Sequence, residues 1–133
     1  MRIFLLTLSI FFTSISFSQN ISVKENCSLD IVSEYIFKSN STALSNCFSN
    51  NVEIITPTSD GVFSKAQAEM VLKSFFREYP SDYFNILQKG TSKGDSKFFI
   101  GEYRSKDNKF DVYCLTKNEK GKELILQLHF EKE

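Results

Sequence analysis

Four stretches decide the fold: Tyr83–Gly90 (YFNILQKG), Lys97–Arg104 (KFFIGEYR), Lys109–Lys117 (KFDVYCLTK) and Lys122–Glu131 (KELILQLHFE). Each is rich in aromatic and apolar residues and reads as a strand. The connections are short and polar: Ser92-Lys93-Gly94-Asp95, Lys106-Asp107-Asn108, and Asn118 to Gly121. Turns this short join antiparallel neighbours, so the spacing predicts a meander. In the last strand, Leu124, Leu126, Leu128 and Phe130 are expected on one face, with Glu123, Gln127, His129 and Glu131 on the other and Ile125 interrupting. In the third, Phe110, Val112, Cys114 and Thr116 are expected inward, and Asp111, Tyr113, Leu115 and Lys117 outward.

A sheet with one apolar face needs cover, and the residues upstream supply it. Ser64 and Gln67 stand at capping-box spacing. Behind them Ala68, Val71, Leu72, Phe75, Phe76 and Tyr79 form a helical stripe, Glu69 and Lys73 can pair at i,i+4, and Pro80 stops the helix. Before that helix, Val52–Thr56 reads as a strand ended by Pro57, with a turn at Ser59-Asp60-Gly61 and a return at Val62-Phe63. Residues 22–38 carry a helical face of Cys27, Ile31 and Tyr35 beside Leu29, Val32 and Ile36. Asn40 or Ser41 caps a second helix through Phe48, and Asn50-Asn51 turns the chain. Helices followed by a long antiparallel sheet make an α+β pattern in one domain.

The beginning of the chain reads differently. Arg2 precedes an apolar run from Ile3 to Phe12, and Ser16-Phe17-Ser18 has the small residues that a signal peptidase reads. Residues 1–18 are therefore expected to be a signal peptide cut near Ser18–Gln19, leaving one domain over 19–133 in the periplasm or outside the cell. The run is shorter than the roughly 20 residues a membrane span needs. Cys27 lies too far from that junction to carry a lipid anchor.

The mature chain has 15 basic and 16 acidic residues, whereas a nucleic-acid binder needs a basic excess to displace counterions. Export permits a bridge between Cys27 and Cys47 if the first helices form a hairpin, although their distances from the turn near Asn40 match poorly. Cys114 reads as a small buried hydrophobe. No CxxC occurs, the single His129 cannot complete a zinc set, and Asp60, Asp95 and Asp107 are turn residues outside any calcium-loop pattern. Gly90 to Gly94 lacks the lysine and helix of a phosphate loop. No metal or cofactor is expected.

The segment Gly61-Val62-Phe63-Ser64-Lys65-Ala66-Gln67-Ala68-Glu69, with Leu72 and Phe75-Phe76, resembles the exported Bacteroidota family called domain of unknown function 4783. So do Ile100-Gly101, Gln127-Leu128 and Glu131-Lys132. The resemblance implies a nuclear-transport-factor-2-like fold, three helices resting on a curved antiparallel sheet that forms a cone, and no established activity. In such a cone, function lies between sheet and helices. Here that lining would be Leu72, Phe76, Val112, Cys114, Leu126 and Leu128, suited to a small apolar ligand.

The first expectation is thus a non-enzymatic module that binds a small ligand or a protein. A protein partner, including a second copy, would use the back of the sheet, where Tyr113, Leu115 and Ile125 could gather, joined by Phe99 and Tyr103 if the second strand is phased that way. The alternative is a small isomerase or dehydratase. It would use Glu102 as base, inward if Phe98 and Ile100 are, with Tyr103 or Tyr113 assisting. The competing role for Glu102 is pairing with Arg104, Lys109 or Lys117 at the sheet edge.

Overall fold

A computed structural model describes residues 27–133. The expected signal peptide and residues 22–26 of the expected first helix lie outside them. Among the described residues no helix is long and apolar enough to cross a membrane.

Helix α1 is Leu29–Phe37, capped by Ser28, whose hydroxyl accepts from the Ile31 amide. Cys27 therefore precedes the helix instead of lying on its face. Helix α2 is Ser41–Asn46, capped by Asn40. It stops before Phe48, which opens strand β1, Phe48–Thr56, so Asn50 and Asn51 lie within a strand and not at a turn. The hairpin to β2, Ser59–Ser64, turns on Pro57-Thr58, earlier than expected. Pro57 presets its φ for the turn, and the Thr56 hydroxyl accepts from the Thr58 and Ser59 amides.

Helix α3, Lys65–Glu78, starts on the full Ser64–Gln67 capping box. Glu69 accepts a hydrogen bond from Thr42 of α2 at 2.9 Å, which ties those two helices together. The meander follows as β3 Tyr83–Thr91, β4 Ser96–Ser105, β5 Asn108–Glu119 and β6 Lys122–Lys132. The β5–β6 turn uses Lys120 and Gly121, both at positive φ, a geometry that suits the twist of a tight hairpin.

The strands form one sheet in the order β2-β1-β6-β5-β4-β3. It is not wholly antiparallel: β1 runs parallel to β6. β5 occupies one edge of β6, and the β1–β2 hairpin takes the other after the two helices have set its direction. The inner face carries Phe99 and Tyr103 from β4, Phe110, Val112, Cys114 and Thr116 from β5, and Leu128 and Phe130 from β6, all buried. α3 packs on it through Ala68, Leu72, Phe75 and Phe76.

Two phases differ from the alternation read in the sequence. In β6, Leu115 pairs with Gln127 and Thr116 with Ile125, so Leu126 has no partner on β5. This bulge shifts the strand by one residue. Ile125 is consequently buried, while Leu124 and Leu126 are only half-buried. In β4, Phe99 and Tyr103 face the core, which turns Phe98, Ile100 and Glu102 outward. Gly101 fixes that phase from the inside, because a Cβ there would lie 2.8 Å from the Phe84 ring.

Candidate functional site

Of the expected lining, Leu72, Cys114 and Leu128 expose no surface, Val112 and Phe76 almost none, and Leu126 sits at the bulge. Phe75 lies among them with its ring centroid 4.5 Å from Phe130, 5.3 Å from Phe110 and 5.7 Å from Tyr103. Among the described residues, three ionisable groups turn to this face: Tyr103, Cys114 and Glu123. Glu123 was expected outward but follows Ile125 inward through the bulge and accepts from the buried Thr116 hydroxyl at 2.7 Å. The first two are held neutral. Burial pushes the Tyr103 phenol up to about 12, and its hydroxyl donates to the Tyr79 carbonyl. Burial likewise pushes the Cys114 thiol up.

Glu102 is on the opposite face. Its carboxylate accepts from Arg104 Nε at 2.9 Å and lies 2.8 Å from Arg104 Nη2 and 3.2 Å from Lys109 Nζ. Hydrogen bonding to Arg104 lowers its pKa, against desolvation. A base for carbon acids needs the opposite, a carboxylate raised by burial without a cation. A depressed folded-state pKa contributes stability above the unfolded value of about 4.3 and loses it as pH falls through the folded value. Glu102→Gln should therefore lower the urea midpoint at pH 7, and the gap from wild type should narrow as pH falls below that unfolded value. A gap that persists there would remove the ion pairs as its cause.

The outer face has a graded surface. Ile55, His129, Tyr113 and Ile100 stand in register across β1, β6, β5 and β4. The adjacent row is Glu53, Gln127, Leu115 and Phe98. Ile100 is 36% exposed, large for an aliphatic side chain at mid-sheet. Ile100, Tyr113 and His129, together with Asp111, Val112 and Glu131, line a shallow cavity of about 330 Å³. The His129 ring lies 5.6 Å from Tyr113, and its Nε2 is 3.4 Å from Glu53 Oε1, yet that nitrogen is shut from solvent with no hydrogen bond made.

One end of this face is acidic. Asp111 stands opposite both Glu102 and Glu131 in the ladder, and Lys109 is engaged by Glu102 and Glu133. Hydrogen bonding to Glu133 raises the Asp111 pKa, a mark of negative charge left unneutralised. The other end is basic: Lys117, Lys120 and Lys122 surround a second cavity of about 660 Å³ with Glu119, Asn50, Asn118 and Leu124. A third, polar cavity of about 490 Å³ opens at the β3–β4 turn beside Lys97 and Glu123. Among the described residues no group of His, Cys, Asp or Glu could hold a metal ion.

A family model described as a domain of unknown function (DUF4783) matches residues 29–131. This chain belongs to the DUF4783 family. A solved DUF4783 protein from Bacteroides uniformis is 24% identical, covers 80% of this chain and 97% of its own, and superposes with a TM-score of 0.74. Another from Bacteroides fragilis is 26% identical over 77% of this chain and 95% of its own, with a TM-score of 0.70. An NTF-2 like protein of unknown function from Silicibacter pomeroyi is 11% identical over 78% of this chain and 88% of its own, with a TM-score of 0.55. These likenesses make the fold NTF2-like α+β. No curated protein matches the chain.

In this DUF4783 chain, the structure separates what the sequence had grouped. Phe99 and Tyr103 leave the back of the sheet for the core; Phe98 and Ile100 take their place beside Tyr113 and Leu115. Ile125 also leaves that back face. The consecutive apolar Leu124-Ile125-Leu126 is the sequence signal of the bulge, since a regular strand with one wet face would alternate there.

Proposed function

We propose that this DUF4783 domain, once exported to the periplasm or beyond, is a non-enzymatic interaction module that docks through the outer face of its sheet, with a second copy of the chain as partner. The observation that carries this is the Ile100–Tyr113–His129 cavity, an apolar and aromatic patch around a desolvated imidazole nitrogen. Aromatic side chains with a dry centre and a charged rim are the composition of an interface, and such a patch at mid-sheet is a contact surface more readily than idle exposure. The burial of Leu72, Phe76, Val112, Cys114 and Leu128 supports a partner on the sheet over a ligand between sheet and helices. The two cations on Glu102 weigh against that residue as the base of the isomerase or dehydratase alternative.

Sedimentation of residues 19–133 tests it. The wild type should sediment as a dimer at micromolar concentration. Ile100→Glu would bury an unpaired carboxylate in the contact, a penalty of a few kcal/mol, so dimer affinity should fall about 100-fold with the circular dichroism unchanged. A wild type that stays monomeric to several hundred micromolar overturns the proposal.

A further inference from the structure

We infer that the two copies dock with their β5 strands antiparallel, so that the Lys117–Lys120–Lys122 end of each outer face meets the Asp111–Glu131 end of the other. This rests on the sheet-to-sheet docking proposed above and adds its orientation. Asp111 and Lys117 both point outward from β5 and both are exposed. They are six positions apart, about 20 Å at strand rise, and the Tyr113 and Leu115 rows lie between.

A face-to-face pair has two simple two-fold arrangements. With the axis along the strands, acidic end lies on acidic end and lysines on lysines, and like charges brought together in this way are strongly disfavoured. With the axis across the strands, level with Cys114, Asp111 of one copy faces Lys117 of the other, and Glu131 lies one strand to the side, over Leu124. Symmetry then makes the Asp111–Lys117 contact twice. The apolar rows still coincide, because Tyr113 of one copy falls over Leu115 of its partner. The charges meet their complements without any residue leaving its place: Lys109 stays with Glu102 and Glu133, and the lysines at the far end share their cavity with Glu119.

Charge reversal distinguishes the orientation from the docking itself. Lys117→Glu and Asp111→Lys sit at exposed strand positions, and circular dichroism checks that each variant folds. Each should weaken the dimer about tenfold or more, since one substitution spoils two symmetry-related contacts. The double variant, carrying both, should regain most of the wild-type affinity. Raising the salt concentration should weaken the wild-type dimer, as ion pairs at a rim require.

A double variant no tighter than its weaker parent overturns the inference, as do single variants with wild-type affinity. If Ile100→Glu still dissociates the dimer in either case, the outer face is the contact and only the orientation is wrong. If the wild type is monomeric, or binds only an unrelated basic protein, the orientation and the self-association fail together.

Discussion

Phe75→Ala should cost about 3–5 kcal/mol of stability, much of the 5–15 kcal/mol that holds an ordinary domain together. Phe75 is 5% exposed and its ring meets those of Phe76, Tyr79, Tyr103, Phe110 and Phe130. It is the side chain through which α3 grips β4, β5 and β6 at once. Alanine is the best helix former, so α3 itself gains nothing to lose, and the cost is packing alone. Urea denaturation should show a lower midpoint at unchanged slope. As a control, Phe37→Ala removes a ring that is 51% exposed and should change stability by only about 0.5 kcal/mol. Equal effects at the two positions would refute the assignment of the core.

The second large effect concerns the bond between Cys27 and Cys47, which are joined with their Cα atoms 5.6 Å apart. Each lies at the outer end of a short helix, Cys27 before the cap of α1 and Cys47 at the C-cap of α2. The chain runs out along α1 and back along α2, which removes the mismatch that arises when both cysteines are placed on helix faces. With 20 residues between them in sequence, the chain-entropy model gives about 3 kcal/mol for closing the loop. Cys27→Ser, Cys47→Ser and reduction of the wild type should each lower stability by that amount, and combining them should add nothing. Cys114 is buried with its thiol pushed up, so the folded protein should show no reactive thiol and the unfolded, unreduced protein one. A reactive thiol in the folded state would mean that the pairing is wrong.

The sequence by itself determined the elements that local chemistry controls. The Ser64–Gln67 box, the stop at Pro80 and the three meander turns follow from residues within a few positions of each other, and the structure places them where the residues indicate. The inward set of β5 was legible for the same reason, since it alternates without interruption. Only the tertiary structure decided the phases of β4 and β6, the parallel seat of β1 beside β6 and the extension of β1 back to Phe48. A strand such as Lys97–Arg104, apolar on both faces, is equally consistent with either side turned in. Contact with Phe84, distant along the chain, selects one. That choice sends Glu102 to Arg104 and Lys109 and brings Ile100 to Tyr113 and His129, and so the outer face exists only once four strands from separate parts of the sequence are laid in register.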